Sequence, residues 1–255
     1  MTKFYQDVVT YLNRYGQLAV ATIVRAEGST PRTAGAKMLI FPDGTFQYTV
    51  GGGLFESIII QDALGVMNTR ETLLKKYSFN QEGKYAIGAV CGGTVEVMIE
   101  MITASPNLYI IGGGHVGQAL ARLASQLDFN ITLIDDREDY ARTLFSHERI
   151  RVIHTPPDYS AIPELTENSF ICLVSKGYVS DEAALRQIIR KPVRYIGMIG
   201  SRKKIHTVYE NMQKDGFETG LFEKIHAPIG LDIHSETPEE IAVSILAEII
   251  KFKNE

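Results

Sequence analysis

The pattern of apolar and polar positions changes character near residue 105. Before that point strand-like apolar runs dominate, with few helical stretches between them. After it, apolar runs of strand length alternate with stretches of helical period. The Ala-Ser-Pro sequence of residues 104–106 is the best candidate boundary. We therefore predict an α/β protein in which a smaller α+β domain, residues 1–104, precedes a Rossmann-like domain with a doubly wound parallel sheet, residues 105–255.

The first region is predicted to begin with a helix over residues 2–15, because Phe4, Val8 and Leu12 share one helical stripe and Gly16 can end it. A second helix is predicted over residues 57–68. The β-rich runs of this region predict strands at residues 18–24, 37–41, 46–50, 72–79 and 94–102.

The second region is predicted to alternate between the two kinds of element. Its strands are expected at residues 108–111, 130–134, 151–154, 169–174 and 194–198. One helix is expected after residue 116, another over residues 180–190, and a third after Ser201. The sequence Thr-Pro-Glu-Glu at residues 237–240 has the form of a capping box with proline at the first helical position, so it predicts the start of the last helix.

A glycine-rich turn follows the first strand of the second region, in the form Gly112-x-Gly114-x-x-Gly117. Gly112 would allow the tight turn, Gly114 the approach of a phosphate, and Gly117 close packing of helix on strand. Val116 lies on the apolar face of the helix that follows, and Asp135 stands at the end of the next strand, 18 residues past Gly117. This is the pattern of a dinucleotide-binding unit. The alternative is that the glycines serve only the turn and the packing.

Three further segments could bind an anion. The loop of residues 27–36 is polar and carries Arg32, residues 51–53 are three glycines before a helix, and Ser201 and Arg202 stand at a predicted helix start followed by two lysines. The alternatives are an ordinary connecting loop, a flexible elbow and a solvated basic face.

Two cysteines are present, Cys91 and Cys172. Cys91 precedes Gly92 and Gly93, which leave its thiol unshielded, so it could bind a soft metal or accept sulfur. The alternative is a small buried residue at a strand end. Cys172 lies inside an apolar strand and is expected in the core.

Composition and charge exclude several classes of protein. The net charge of −4 provides no basic field for nucleic acid or an anionic membrane. No apolar run reaches the roughly 20 residues that a membrane helix needs. The N-terminus lacks the apolar core of a signal peptide, and two cysteines make no disulfide framework. We expect a reduced, cytoplasmic protein.

Taken together, the motifs resemble the xanthine dehydrogenase accessory protein family of the XdhC/CoxI type. The residues that carry the resemblance follow in family order over nearly the whole chain: 28–32, 35–38, 51–53 with Glu56, 91–93, 112–117, 135–137, 197–203, 226–233 and 236–242.

This resemblance implies an accessory protein without catalytic residues of its own. Such a protein binds molybdenum cofactor (molybdopterin) as cargo, supports its sulfuration with a cysteine desulfurase as donor, and delivers it to xanthine dehydrogenase or a related molybdenum hydroxylase. A homodimer is also implied, and a nucleotide in the Rossmann domain stays open. The residues predicted to bind cofactor are Arg32, Cys91, Gly92, Gly112, Gly114, His115, Gly117, Asp135, Ser201 and Arg202, with Cys91 as candidate molybdenum ligand.

Two positions depart from the family pattern. Leu54 stands where many members have a cysteine, so Cys91 is the only matching thiol. His234 replaces a usual glycine, and we expect a glycine-only backbone conformation to be lost there. Two other functions stay open: an NAD(P)-dependent oxidoreductase, for which only His115 can be nominated as proton donor, and a purely structural component of the dehydrogenase complex.

Overall fold

The computed structural model describes residues 2–79, 92–138 and 149–254. These residues fall into two compact units, Met1–Ala104 and Ser105–Glu255, which we call unit one and unit two. The fold is the predicted one: a Rossmann-like parallel sheet preceded by a smaller α+β region. Among the described residues, no helix is both long and apolar enough to cross a membrane.

Unit one is built on a five-stranded antiparallel sheet in the order β3-β2-β1-β5-β4. Its elements are α1 (Thr2–Tyr15), β1 (Gln17–Glu27), β2 (Lys37–Ile40), β3 (Phe46–Tyr48), α2 (Gly53–Thr69), β4 (Leu73–Ser78) and β5 (Thr94–Thr103). The predicted helix of residues 57–68 thus begins four residues earlier, at Gly53.

Helices α1 and α2 cover opposite faces of the sheet of unit one. Leu18 and Val20 of β1 pack with α1, whereas Ala19 and Ala21 pack with α2. Successive side chains of a strand point to opposite faces, so one strand supplies both cores. All of these residues are buried.

Unit two is built on a six-stranded parallel sheet in the order β11-β10-β9-β6-β7-β8. Its elements are β6 (Asn107–Ile111), α3 (His115–Ala124), β7 (Asn130–Asp135), β8 (Ile150–His154), β9 (Ser169–Leu173), α4 (Tyr178–Ile188), β10 (Tyr195–Met198), α5 (Arg202–Lys214), a 3-10 turn (Thr219–Lys224), β11 (Ile225–His226) and α6 (Pro238–Asn254).

The strand order of unit two reverses beside β6. The chain moves from β6 outward to β7 and β8, then returns to place β9 on the other side of β6. In open α/β sheets, ligands bind in the crevice at such a reversal, outside the carboxyl ends of the strands. The crevice between the ends of β6 and β9 is therefore where a ligand is expected in this unit.

Helices cover both faces of this parallel sheet. Leu108 and Ile110 face a cluster that includes residues of α3 and α6, and Ile111 faces the cluster of α4 and α5. Cys172 is fully buried among the first group, as expected, and burial raises the pKa of its thiol. It is therefore a packing residue.

Two expectations about local structure have clear outcomes. The capping box is confirmed: the Glu240 carboxylate accepts the backbone N–H groups of Glu236 and Thr237, and the Thr237 hydroxyl accepts the N–H of Glu240. His234 has a left-handed backbone with φ of 56°, a region that is not restricted to glycine, so the expected absence of a glycine-only conformation holds. Histidine is among the residues that tolerate this region best after glycine.

Candidate ligand sites in the two units

The turn after β6 contains two glycines at positions where the surrounding atoms leave no room for a side chain. Gly112 has φ of 110° and donates its N–H to the carbonyl of Ile134 at 2.8 Å. A Cβ atom on Gly112 would lie 2.7 Å from Cα of Ser175, and one on Gly117 would overlap the carbonyl oxygen of Gly112. The predicted structural roles, a tight turn and close packing of helix on strand, are thus both present.

Gly114 is open, in contrast. It is the N-cap of α3, with φ of −67°, and no side chain caps the helix there. A Cβ atom on Gly114 would meet nothing within 4 Å. His115, the first residue of α3, is exposed. The start of α3 thus has open space beside Gly114, no side-chain cap and the positive end of the helix dipole, which is an arrangement suited to a phosphate.

Asp135 differs from the acid of a usual dinucleotide site in its burial and in its hydrogen-bond partners. Its side chain is only 3% exposed and forms an ion pair with Arg137 at 2.8 Å. It also accepts the backbone N–H of Gly113 at 2.6 Å and that of Arg137 at 2.9 Å. Asp135 thus joins the glycine turn to the end of β7 through bonds within the protein.

The charge of Asp135 is maintained by these donors. Burial opposes the ionised form, but the hydrogen bonds from Arg137 and Gly113 outweigh it, so the pKa of Asp135 lies below its usual value. The carboxylate is therefore ionised at neutral pH.

A buried ion pair that the sequence analysis missed connects the ends of β9 and β10. Asp181, in the first turn of α4, has no exposed side-chain surface. It accepts a hydrogen bond from Lys204 Nζ at 2.6 Å, and it accepts the backbone N–H and the hydroxyl of Ser175. The sequence does contain a signal, because Asp181 starts the buried helical stripe that continues with Ala184, Leu185 and Ile188.

The start of α5 agrees in part with its prediction. Ser201 is the N-cap, and its hydroxyl accepts the N–H of Lys204 at 3.3 Å. Arg202 is exposed, whereas the charge of Lys204 is balanced by Asp181. Ser201 and Arg202 lie at the end of β10, which β9 separates from β6. Neighbouring strands are about 4.8 Å apart, so this helix start is roughly 10 Å along the sheet edge from the glycine turn.

Tyr159 is a second residue without a sequence prediction. It lies between β8 and β9, is almost fully buried, and belongs to the cluster of α4 and α5. Burial, and then the negative charge of Asp136, raise its pKa to about 12. The phenol is therefore neutral at physiological pH, and it lies near the carboxylate of Asp136.

In unit one, three glycine-containing segments from distant parts of the sequence converge. A Cβ atom on Gly28 would lie 3.2 Å from Cα of Gly93, and one on Gly93 would overlap the carbonyl group of Ser29. A Cβ atom on Gly51 would lie 2.9 Å from the ring of Pro31. The loop of residues 27–36 is thus in contact with both the 51–53 and the 92–93 segments.

The start of α2 lies in this cluster. Its N-cap is Gly52, and no side chain caps the helix. Glu56, in the first turn of α2, accepts the hydroxyl of Thr49 and the N–H of Val50, which fixes the approach of the chain to the helix. Leu54, the departure from the family pattern, is 61% exposed.

The predicted ligand residues of unit one have mixed outcomes. Arg32 is exposed, and Gly92 donates its N–H to the carbonyl of Phe79 at 2.8 Å. Cys91, the candidate molybdenum ligand, lies outside the described residues. Within residues 2–79, 92–138 and 149–254, no group of three or more histidine, cysteine, aspartate or glutamate side chains could hold a metal ion. The ligand roles of all ten nominated residues stay predictions.

Known protein families match the sequences of both units. The family described as the XdhC Rossmann domain matches residues 108–249, and the XdhC and CoxI family matches residues 12–78. YqeB, an uncharacterized protein of Escherichia coli K12, is 34% identical over 239 residues, which cover 92% of this chain. The chain spans only 43% of the length of YqeB.

Two more distant relatives cover almost the whole chain. A protein of Bacillus subtilis 168, described as a probable xanthine dehydrogenase subunit, is 22% identical, with 98% of both chains covered. A crystal structure of a xanthine dehydrogenase from Bacillus halodurans has a TM-score of 0.53 at 21% identity, covering 97% of this chain and 95% of that one. The latter likeness supports the fold. Because the family matches reach both units and extend over most of its length, the chain belongs to the XdhC and CoxI family.

Proposed function

We propose that this protein is a carrier for molybdenum cofactor. It binds the cofactor, supports the installation of its terminal sulfido ligand with sulfur from a cysteine desulfurase, and delivers it to xanthine dehydrogenase or a related molybdenum hydroxylase. It acts as a homodimer and does not oxidise xanthine by itself.

The observation that carries this proposal is the convergence of glycine segments in unit one. The 28–31, 51–53 and 92–93 segments meet beside the uncapped start of α2. A pterin cofactor presents a planar ring, a phosphate and a dithiolene-bound metal. Gly52, Gly53 and Gly92 leave open space for the ring, since a Cβ atom on each would meet nothing within 4 Å, and the start of α2, which no side chain caps, suits the phosphate. Cys91 is bonded to Gly92 of this cluster and supplies the soft ligand for the metal.

The relatives support the link to the dehydrogenase. The Bacillus subtilis protein is described as a probable subunit of xanthine dehydrogenase, and it matches over nearly the full length of both chains. That description also favours a second candidate function, that of a structural component of the enzyme complex. Such a component stays in a stable stoichiometric complex with the enzyme and has no ligand, whereas a carrier binds cofactor alone and dissociates after delivery.

The test is the cofactor content of the purified chain. After expression in cells that produce molybdenum cofactor and purification without oxygen, we expect molybdenum and pterin in near-equal amounts to protein, with no xanthine oxidation. Added to the cofactor-free dehydrogenase, the loaded protein should activate it and then separate from it on gel filtration.

Two outcomes would contradict the proposal. Protein that retains no cofactor after anaerobic loading, but remains bound to the dehydrogenase in a fixed ratio, would support the structural component. Oxidation of xanthine by the chain alone would make it an enzyme.

A further inference from the structure

We propose that Arg137 occupies the carboxylate that would otherwise bind the adenosine ribose, so that the Rossmann sheet of unit two binds neither NADH nor NADPH. Asp135 instead is a positioning residue for the glycine turn. This inference concerns the specificity of the crevice between β6 and β9. It is independent of the cargo proposed above and holds whether or not molybdopterin binds.

The acid at the end of the second strand of a dinucleotide-binding unit normally receives the two hydroxyl groups of the adenosine ribose. In this protein both oxygens of that acid, Asp135, have donors already. Arg137 Nε lies 2.8 Å from Oδ1, and Arg137 Nη2 lies 2.8 Å from Oδ2. The backbone N–H of Arg137 is a further donor to Oδ1, and that of Gly113 is a further donor to Oδ2.

Four donors complete the acceptor capacity of a carboxylate, which has about four lone-pair sites. The two parallel N–H donors of the Arg137 guanidinium fork also occupy the acceptor sites that the two O–H donors of a ribose would use. A charge-assisted, bidentate pair at a side chain that is 3% exposed is stronger than two neutral hydroxyl contacts. A ribose would therefore have to break the Asp135–Arg137 pair.

An arginine near this position often marks a site for the 2′-phosphate of NADPH. That role does not fit Arg137, because its charge is balanced by Asp135 in direct contact. A 2′-phosphate approaching the pair would meet a neutral unit together with the carboxylate behind it. The exclusion thus applies to both nicotinamide cofactors.

The pair has a second consequence for the turn. The Gly113 N–H is fixed by Asp135, and Gly112 is fixed by the carbonyl of Ile134. Both anchors lie on β7 and hold the turn from the side of the sheet, leaving open Gly114 to face the crevice. Asp135 thereby acts on a ligand through the shape of the turn and without touching it.

The test compares NADH binding by the parent protein, Arg137→Met and Arg122→Met in fluorescence titrations. Arg122 is an exposed arginine in the last turn of α3, at the opposite end of the helix from the glycine turn, so it controls for the loss of a positive charge. Methionine keeps the apolar stem of Arg137 and removes the fork. We expect Arg137→Met to bind NADH at least about tenfold more tightly than the other two proteins, because Asp135 regains two free acceptor sites.

Equal affinity of the three proteins for NADH would overturn the proposal, as would tight binding of NADPH by the parent. If Arg137→Met loses the native circular dichroism spectrum, Arg137→Lys replaces it. Lysine makes one hydrogen bond in place of the fork, so a smaller gain in affinity is expected.

The positioning role of Asp135 has its own readout in amide hydrogen exchange. In Asp135→Asn the Gly113 N–H should exchange several-fold faster than in the parent, while amides in the middle of α3 stay unchanged. Unaltered protection of Gly113 would refute the positioning role. Neither experiment involves molybdenum or pterin, so their outcomes are separate from the test of the carrier function.

Discussion

The three glycines of the turn after β6 differ in the room that the fold leaves for a side chain. Gly112 and Gly117 face backbone atoms at distances that no Cβ atom can adopt, whereas Gly114 faces open space with an ordinary φ. Substitution at these positions therefore separates loss of fold from loss of ligand binding.

We predict that Gly114→Val keeps the fold and loses ligand binding, because branched carbons would fill the space that a phosphate needs. Calorimetric titration with inorganic phosphate and thermal unfolding measure the two properties. Gly220→Val is the matched control, since Gly220 also faces open space but lies on the 3-10 turn. Gly117→Val should destabilise unit two by about 3 kcal/mol or more. Unchanged phosphate affinity of Gly114→Val would leave the turn with a structural role alone.

The two cysteines should respond oppositely to removal. We predict that Cys91→Ala reduces cofactor retention and abolishes activation of the dehydrogenase, because it removes the thiolate that we propose as a ligand. Cys172→Ala should leave activation intact and cost about 1–2 kcal/mol through a small cavity in the core. Reconstitution of the cofactor-free enzyme with each variant at equal concentration tests both. Full activation by Cys91→Ala would make that thiol a packing residue.

Asp135 gives unit two a predictable dependence of stability on pH. Its pKa in the folded state is depressed below the usual value of 3.8. The carboxylate therefore contributes stability above that value, and the contribution is lost as the pH falls through the folded pKa. We predict that Asp135→Asn lowers the free energy of unfolding by about 2 kcal/mol at pH 7 and by clearly less near pH 2.5. Urea unfolding at both pH values measures this, and an equal loss at each would contradict it.

At the scale of elements, the buried pair of Asp181 and Lys204 connects α4 to α5 at the carboxyl edge of the sheet. Asp181 also fixes Ser175 at the end of β9, next to Gly112 of the glycine turn. The pair thus connects the starts of two helices to the wall of the crevice.

We predict that Asp181→Asn destabilises the protein by about 3 kcal/mol, because it leaves the ammonium group of Lys204 without its buried partner. The double variant Asp181→Asn with Lys204→Met should cost less than the sum of the two single variants. The more exposed pair of Arg186 and Asp215 is the control, and Asp215→Ala should cost less than about 1 kcal/mol. Additive losses in a double-mutant cycle of denaturant unfolding would show that the pair is not coupled.

Most elements of both units could be predicted from periodicity, and the differences have physical reasons. The predicted helix start at Ser57 was late because Gly51–Gly53 read as a loop, although the third of these glycines is helical. The strand β11 was missed because two residues, Ile225 and His226, carry no measurable period. The strand β1 extends to Glu27, past its apolar part, because pairing with β5 continues through a bulge after Ile23.

At the scale of the whole molecule, each unit has its own cores. The clusters that contain Leu108 and Ile111 draw only on residues of unit two, and those that contain Leu18 and Ala19 draw only on unit one. We predict that residues 105–255 fold alone, because the apolar surface of their sheet is covered on both faces by their own helices. Cooperative thermal unfolding of this fragment, followed by near-ultraviolet circular dichroism, tests it. A fragment with native secondary structure but no cooperative transition would contradict the prediction.

The sequence alone determined most of the elements, the separate roles of Gly112 and Gly117, and the family. This was possible because periodicity, steric demand and ordered motifs are properties of neighbouring residues. Only the folded structure showed which groups are in contact. It brought residues 28–31, 51–53 and 92–93 together, paired Asp181 with Lys204, and gave both oxygens of Asp135 to partners within the protein. Hydrogen bonds and burial depend on atoms that are close in space, and their distances along the chain do not specify those contacts.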